Sequence, residues 1–299
     1  MGIGHVANRA DNHPFDYRQA GPTAVRMLVG AQLRRFRLAR GITREDAAKT
    51  IHMSASRLSR LERGRIAFKE RDVAGLLTHY QVTDPDERHA VLMLARQANA
   101  PGWWAHYPDV VPHWFEPYLT LELAARVIRT YEVQFVPGLL QTADYARAVI
   151  RLAHDEPERQ IQRRVSLRMD RQHILTRPDP PQLWAVIDES ALRRPFGGVA
   201  THRAQLRRLL EITDLPYVTL QVMPFDSGGH VAAGGAITVL RFAENDLPDV
   251  VYLEQLASAL YLDRPGDVMH YRDVMNRLSV QAEPPAASKD LLHRALAEL

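Results

Sequence analysis

Along the first hundred residues apolar positions recur with the period of an amphipathic helix, and in the second half the period shortens to that of a strand. The segment Thr43 to Gly64, TREDAAKTIHMSASRLSRLERG, holds two short helical periods separated by Ile51-His52-Met53. In the second, Leu58 and Leu61 mark one side, while Ser56, Ser59, Arg60 and Arg63 follow at i, i+3, i+4 and i+7 on the other. Ser54 stands where an N-cap belongs, its side-chain oxygen able to accept an orphan backbone N–H. Thr43 with Asp46 three positions on has the form of a capping box for the first helix. Ala47 and Ala48 are small enough for a close helix crossing. His52 occupies the turn position that favours a left-handed backbone, which histidine tolerates better than most residues.

Lys69 to Tyr80 and Pro85 to Gln97 continue the helical pattern and would close a five-helix domain beginning near Val25. A break follows at Asn99-Ala100-Pro101-Gly102. Trp103 to Pro117, rich in tryptophan, histidine and proline, reads as a linker that docks on one domain, with an aromatic ligand cage as the alternative. Tyr118 to Tyr131 is expected as one helix carrying Leu121, Ala124, Ala125, Ile128 and Tyr131 on a single face. A helix capped by Thr142 comes next. The long charged helix expected over Glu156 to Thr176 has a narrow apolar stripe suited to a dimer seam or a bridge between two bodies.

Leu183 to Asp188, Val218 to Met223, Ala236 to Phe242 and Val250 to Leu253 are short β-branched runs bounded by turn residues, which predict a small sheet. Helices are expected over Ala200 to Ile212 and Pro265 to Leu278, with Ser288 capping a last short one. The fold class expected is multi-domain: an all-α five-helix domain with two short helices joined by a turn, followed by an α+β domain with a small sheet.

Composition narrows the chemistry. With 46% hydrophobic and 24% charged residues over 299 positions, the chain can bury a real core and has room for two domains. It has no cysteine, which excludes disulfides, cysteine-ligated metal and thiol catalysis and fits a reducing cytoplasm. No apolar run is long enough for a signal peptide or a membrane span, and the Met-Gly start lacks the Ser or Thr that myristoylation needs.

Charge is distributed unevenly. Residues 23 to 72 hold 13 Lys or Arg against 5 Asp or Glu, a net of +8; the whole chain is +3 and residues 1 to 22 are neutral, so residues 73 to 299 carry −5. A basic segment in an otherwise acidic chain is what polyanion binding requires, because neutralised phosphates release counterions. A helix with an apolar side for packing and a hydroxyl-and-arginine side can read a major groove; an ordinary amphipathic surface helix is the bland alternative. The candidates for base contacts are Ala55, with a methyl for thymine, Ser56, Ser59 and Arg60. The candidates for phosphate contacts are Arg44, Ser54, Arg57, Arg63 and Arg65.

Leu33 to Arg40, Gly41-Ile42-Thr43 and Ser54 to Gly64, with its ending Leu61-Glu62-Arg63-Gly64, resemble the helix-turn-helix of the phage-repressor and Xre family over roughly residues 25 to 80. Arg44 departs from that pattern where glutamine is common, and His52 where glycine is. The second half resembles the C-terminal domain of unknown function of actinobacterial helix-turn-helix regulators, the WhiJ-like group among them, over roughly residues 115 to 280. Tyr131-Glu132, Val136 to Thr142 and Asp144-Tyr145-Ala146 carry this likeness, continued by Val186 to Arg194, Val222 to Phe225, His230 before Gly235, and Asp249 to Glu254. The resemblance implies a transcription factor commonly encoded with a small acidic or antitoxin-like partner, and it implies no known ligand.

Asp188 and Glu189 are adjacent on a strand and so point to opposite faces, which argues against a paired-carboxylate site. The loop Gly228 to Gly235 has neither the GxxxxGK[ST] nor the GxGxxG pattern, and the 13 histidines include no HExxH. No catalytic residue, metal or cofactor is expected. Asp188 and His230 are the candidates for lining a ligand or partner pocket.

The function expected is that of a cytoplasmic, sequence-specific transcriptional regulator. It would bind double-stranded DNA as a homodimer on a pseudo-palindrome, with recognition helices about 34 Å apart, and answer a small molecule or a small partner protein. The alternative is an enzyme or effector module in the C-terminal half with an accessory DNA-binding domain. The expected boundaries are 1–22 for a flexible arm, 23–98 for the helix-turn-helix domain and 99–117 for the linker. An α+β sensing and dimerisation domain then spans 118–282, and 283–299 form a C-terminal linker and short helix.

Overall fold

The computed structural model describes residues 22–232, 234–243 and 247–299; the N-terminal arm expected over 1–22 lies outside them except for Pro22, which opens the first helix. Five helices open the described chain: α1 (Pro22–Ala39), α2 (Arg44–Thr50), α3 (Ala55–Glu62), α4 (Glu70–His79) and α5 (Pro85–Gln97). Their apolar faces meet in one core, with Leu28, Leu33, Ala47, Leu58, Leu61, Val73, Leu76 and Leu77 almost wholly buried. Ala47 and Ala48 of α2 are buried, and α2 packs against both α3 and α4.

Two glycines allow α1 to cross the end of α3 at close range. A Cβ on Gly30 would lie 2.5 Å from the Glu62 carbonyl oxygen. One on Gly64, which has φ 66°, would lie 2.5 Å from the Met27 backbone nitrogen. His52 takes φ 53° in the turn between α2 and α3, as its position suggested.

The second half begins with α6 (Glu116–Ala124) and β1 (Val127–Glu132), then α7 (Ala143–Ala153), α8 (Glu158–Arg171), β2 (Gln182–Asp188), the one-turn α9 (Ser190–Arg193) and α10 (Val199–Ile212). It continues with β3 (Val218–Met223), β4 (Ile237–Arg241), β5 (Val250–Glu254), β6 (Ala259–Leu262), α11 (Pro265–Gln281) and α12 (Pro285–Ala297). The strands form one six-stranded mixed sheet in the order β3-β2-β1-β4-β5-β6, parallel across β1, β2 and β3 and antiparallel across β1, β4, β5 and β6. Strand alternation divides its side chains. Tyr131, Val186, Val239 and Val251 meet Val268, Met275 and Leu278 of α11. Ile128, Ala185, Leu220 and Leu240 belong to the larger core with Tyr145, Leu206, Leu209 and Leu292.

The single helix expected over 118–131 is corrected. It ends at Ala124, Ala125 turns extended, and Arg126 N–H bonds the Arg241 carbonyl at 2.8 Å to start β1. Ile128 and Tyr131, expected on one helical face, lie in the two different cores on opposite faces of the sheet. Pairing with β2 and β4 overrides a local pattern that suited either state. The sheet also gains β6, which the sequence did not mark.

Ser288 is likewise not a helix cap. The last helix is 13 residues long and starts from Pro284 with Pro285 in its first turn. The buried Ser288 hydroxyl donates to the Glu283 carbonyl at 3.0 Å and accepts the Val222 N–H at 2.9 Å, tying α12 to β3. Residues 283–299, expected as a linker and short helix, thus place Leu291, Leu292 and Ala295 in the core.

The stretch expected as a linker packs closely. Trp104, Val110 and Val111 form a buried cluster with Leu119 and Leu167, and Arg163 of α8 makes two bonds of 2.6 Å to Asp109. In addition α1 packs against α6, so a single apolar cluster runs from Leu28 and Val25 through to Tyr118 and Leu121.

Candidate nucleic-acid interface

The recognition segment is set by its caps. Ser54 Oγ accepts the Arg57 N–H at 3.2 Å, satisfying a donor that the first turn of α3 leaves unpaired. Thr43 does the same for Asp46 at 3.1 Å, and its hydroxyl donates to Asp46 Oδ2 at 2.7 Å. The reciprocal contact of a capping box therefore goes to the hydroxyl here, and it is the main reason that the exposed Asp46 carboxyl is held below its usual range.

On α3, Leu58, Leu61 and Glu62 are buried, whereas Ser56, Arg57 and Arg60 are exposed. Ala55 and Ser59 are half-buried at the margin of that face, and Ser54 and Arg44 are exposed beside it. The structure brings two of the candidates together: Arg44 Nη1 donates to Ser59 Oγ at 3.3 Å, so the first residue of α2 leans onto the outer face of α3. Arg63 is the C-cap of α3, and Arg65 follows the left-handed turn at Gly64; both are exposed. The surface presents guanidiniums and hydroxyls around one helix, the chemistry that contacts phosphates and base edges.

Two pairings behind this surface were not read from the sequence. Arg37, in the last turn of α1, donates from Nε and Nη2 to the two Glu62 carboxylate oxygens at 2.6 and 3.0 Å, and from Nη1 to the Ile42 carbonyl at 2.9 Å. Glu62, noted only as part of a motif ending, thereby anchors the end of α3. The second pairing joins Arg65 to Asp263, the residue after β6 that precedes Arg264 and α11.

Asp188 and His230 lie at the end of the sheet where β1 and β2 finish. Asp188 Oδ1 accepts the Ser190 N–H at 2.9 Å, and His230 Nε2 hydrogen-bonds the Tyr131 hydroxyl at 2.9 Å. Burial, and then the charge of Asp188, push that hydroxyl above its ordinary range, so both candidates act on Tyr131.

A polar cluster on the other face was missed. Arg171 of α8 makes a buried two-bond pair with Glu122 at 2.9 and 3.0 Å. Arg168 donates to Gln141 at 2.9 Å, and its guanidinium is brought down to about 10, by burial first and then by Arg171. Glu132, the last residue of β1, has its carboxyl pushed up to about 8 by burial and then by Glu254, against the pull of Arg168 and Arg171. In sequence Glu132 stands only as part of the Tyr131-Glu132 pair just past the helix expected over 118–131. No group of three or more His, Cys, Asp or Glu able to hold a metal ion occurs among the described residues, and none of their helices is long and apolar enough to cross a membrane.

This geometry defines a helix-turn-helix, and residues 28–91 match the family described as helix-turn-helix domain. Residues 115–294 match a second family, described as domain of unknown function (DUF5753). That match covers more than half of the chain, and the chain belongs to this family. The two domains together make it a helix-turn-helix regulator, with a DNA-binding element at its N-terminal end. No curated protein and no solved structure matches the chain.

Proposed function

We propose that the chain is a sequence-specific transcriptional regulator that binds double-stranded DNA as a homodimer on a pseudo-palindromic operator. The observation that carries the proposal is the exposed face of α3, where Ser56 and Arg60 project beside Ser59 and Arg44 from a helix capped at Ser54 and buried through Leu58 and Leu61. In this reading Ala55, Ser56, Ser59 and Arg60 meet bases, and Arg44, Ser54, Arg57, Arg63 and Arg65 meet phosphates. The net +8 of residues 23 to 72 supplies the sequence-independent part of the affinity.

The C-terminal domain dimerises the chain and receives its signal, from a small molecule or a small partner protein, and carries no catalytic step. Two features support reception there: the burial-perturbed charges of Glu132 and Arg168 on one sheet face, and the grouping of Asp188 and His230 around Tyr131 on the other. The motif residues favour an Xre-type, WhiJ-like regulator working in an actinobacterial cytoplasm.

The test is selection of bound sequences from a random duplex pool by the full chain, together with sedimentation in solution. Enrichment of a two-fold symmetric site and a dimer at micromolar concentration are expected. A pool that stays random would overturn sequence-specific binding, and a monomer on and off DNA would overturn the dimer.

A further inference from the structure

A groove of about 760 Å³ lies between the helix-turn-helix and the C-terminal half, with Arg34, Arg35, Arg63, Arg65 and Arg264 among its walls. Only two carboxylates line it among the described residues, Glu62 and Asp263. Glu62 is buried and engaged by Arg37. Asp263 reaches across: its two oxygens lie 3.1 and 3.3 Å from Arg65 Nη2, joining residues 198 positions apart. The Arg65 backbone belongs to the recognition segment, since its N–H bonds the Arg60 carbonyl at 2.9 Å.

We infer that Asp263 sets the affinity of the helix-turn-helix for DNA by competing with a backbone phosphate for the Arg65 guanidinium. The inference rests on the proposed role of Arg65 as a phosphate contact. A guanidinium binds phosphate through the same N–H fork that binds a carboxylate. With Nη2 turned to Asp263, part of that fork is occupied, and a negative charge stands where a second anion must approach. The Arg65 side chain is 50% exposed and that of Asp263 19%, so the arginine has open space to turn outward while the carboxylate stays in the groove. Release does not strand Asp263 in an apolar setting, because the same groove is lined by Arg264, Arg34 and Arg63. Asp263 is therefore an affinity-setting residue contributed by the C-terminal half, and movement of the β6–α11 junction changes how much of Arg65 is available to DNA.

The test measures binding of the full chain to a mixed-sequence duplex across a range of salt, because phosphate contacts are independent of sequence. Asp263→Asn keeps the side-chain shape and removes the charge. Exposed ion pairs of this kind are worth a few tenths to about 1 kcal/mol, so the variant should bind about two- to fivefold tighter. It should also show a steeper log–log salt slope, by part of the roughly 0.9 that one whole phosphate contact contributes, because Asp263 withholds Arg65 only part of the time. In the Arg65→Gln background the same change should have no effect. Unchanged or weaker binding by Asp263→Asn, with Arg65→Gln itself weakened, overturns the competition and leaves Asp263 as a support for Arg65. A gain that persists without Arg65 also overturns it, as general charge removal. If Arg65→Gln alone alters neither affinity nor slope, the phosphate role of Arg65 falls and the competition with it. Thermal unfolding of each variant confirms the fold, and Asp263→Ser replaces the Asn variant if that one melts early.

Discussion

Arg37 and Glu62 form a buried, two-bond ion pair between the last turn of α1 and the last residue of α3, at 2.6 and 3.0 Å. The pair fixes the end of the recognition helix against the helix that supports it. Breaking a buried pair leaves one charge uncompensated, so Glu62→Gln is expected to cost about 3–5 kcal/mol. A urea titration reads this as a lower midpoint at unchanged slope. The double variant Arg37→Met, Glu62→Leu removes both charges and should recover most of the loss; a double variant as unstable as Glu62→Gln would mean that packing, not charge, is lost.

For DNA, Arg60 and Arg63 should behave differently. Arg60→Ala is expected to cost about 1–3 kcal/mol on a selected operator and to relax the preference at one base pair. Equal losses on operator and random duplex would remove Arg60 from base reading. Arg63→Ala should weaken binding to every sequence and lower the salt slope by about one unit. A slope identical to that of the unaltered chain would take Arg63 off the phosphate backbone.

The close crossing of α1 and α3 predicts an unusual sensitivity to one methyl group. At Gly30 the new Cβ of an alanine would stand 2.5 Å from the Glu62 carbonyl oxygen, and the obstacle is backbone rather than a flexible side chain. Alanine favours a helix over glycine by roughly 1 kcal/mol, yet overpacking of this kind costs about 1–3 kcal/mol. Gly30→Ala should therefore lower the unfolding midpoint. A rise in the midpoint would show that the two helices separate without penalty.

Glu132 gives the C-terminal half a pH dependence of defined sign. Its carboxyl titrates near 8 in the folded chain, chiefly because of burial, against an ordinary value of 4.5. The folded state then holds the proton more tightly than the unfolded one, so this group's contribution is complete below about pH 4.5 and is lost as the pH rises towards 8. Glu132→Gln should flatten the fall in melting temperature between pH 5 and about 8. Parallel curves for the two proteins would show that Glu132 is ionised throughout.

Features written in short stretches of chain were legible. The caps at Thr43 and Ser54, the left-handed His52 and the strand Val218–Met223 all depend on neighbours a few residues away. What escaped depends on distant partners. The residues of β1 suit a helix or a strand, and only β2 and β4 decide between them. The four-residue β6 lies at the sheet edge, half exposed, with no alternation to reveal it. In the interface, the exposed face of α3 follows from its helical period, whereas Glu62 and Asp263 are ordinary charges in sequence until Arg37 and Arg65 are brought to them. Glu132 was hidden for the same reason: nothing near it along the chain announces Glu254 or Arg168.

The apolar cluster running from α1 to α6 joins the helix-turn-helix domain to the C-terminal half through packed side chains. In a tethered pair of domains, a change in one reaches the other only through the linker's length. Here the seating of α1, which packs on both α3 and α6, depends on side-chain volumes at positions such as Val25, Leu28 and Leu121. If the chain binds as the proposed dimer, exchanging one of these for a neighbour in size would re-aim α3 and alter the spacing of half-sites accepted, with every proposed DNA contact left in place.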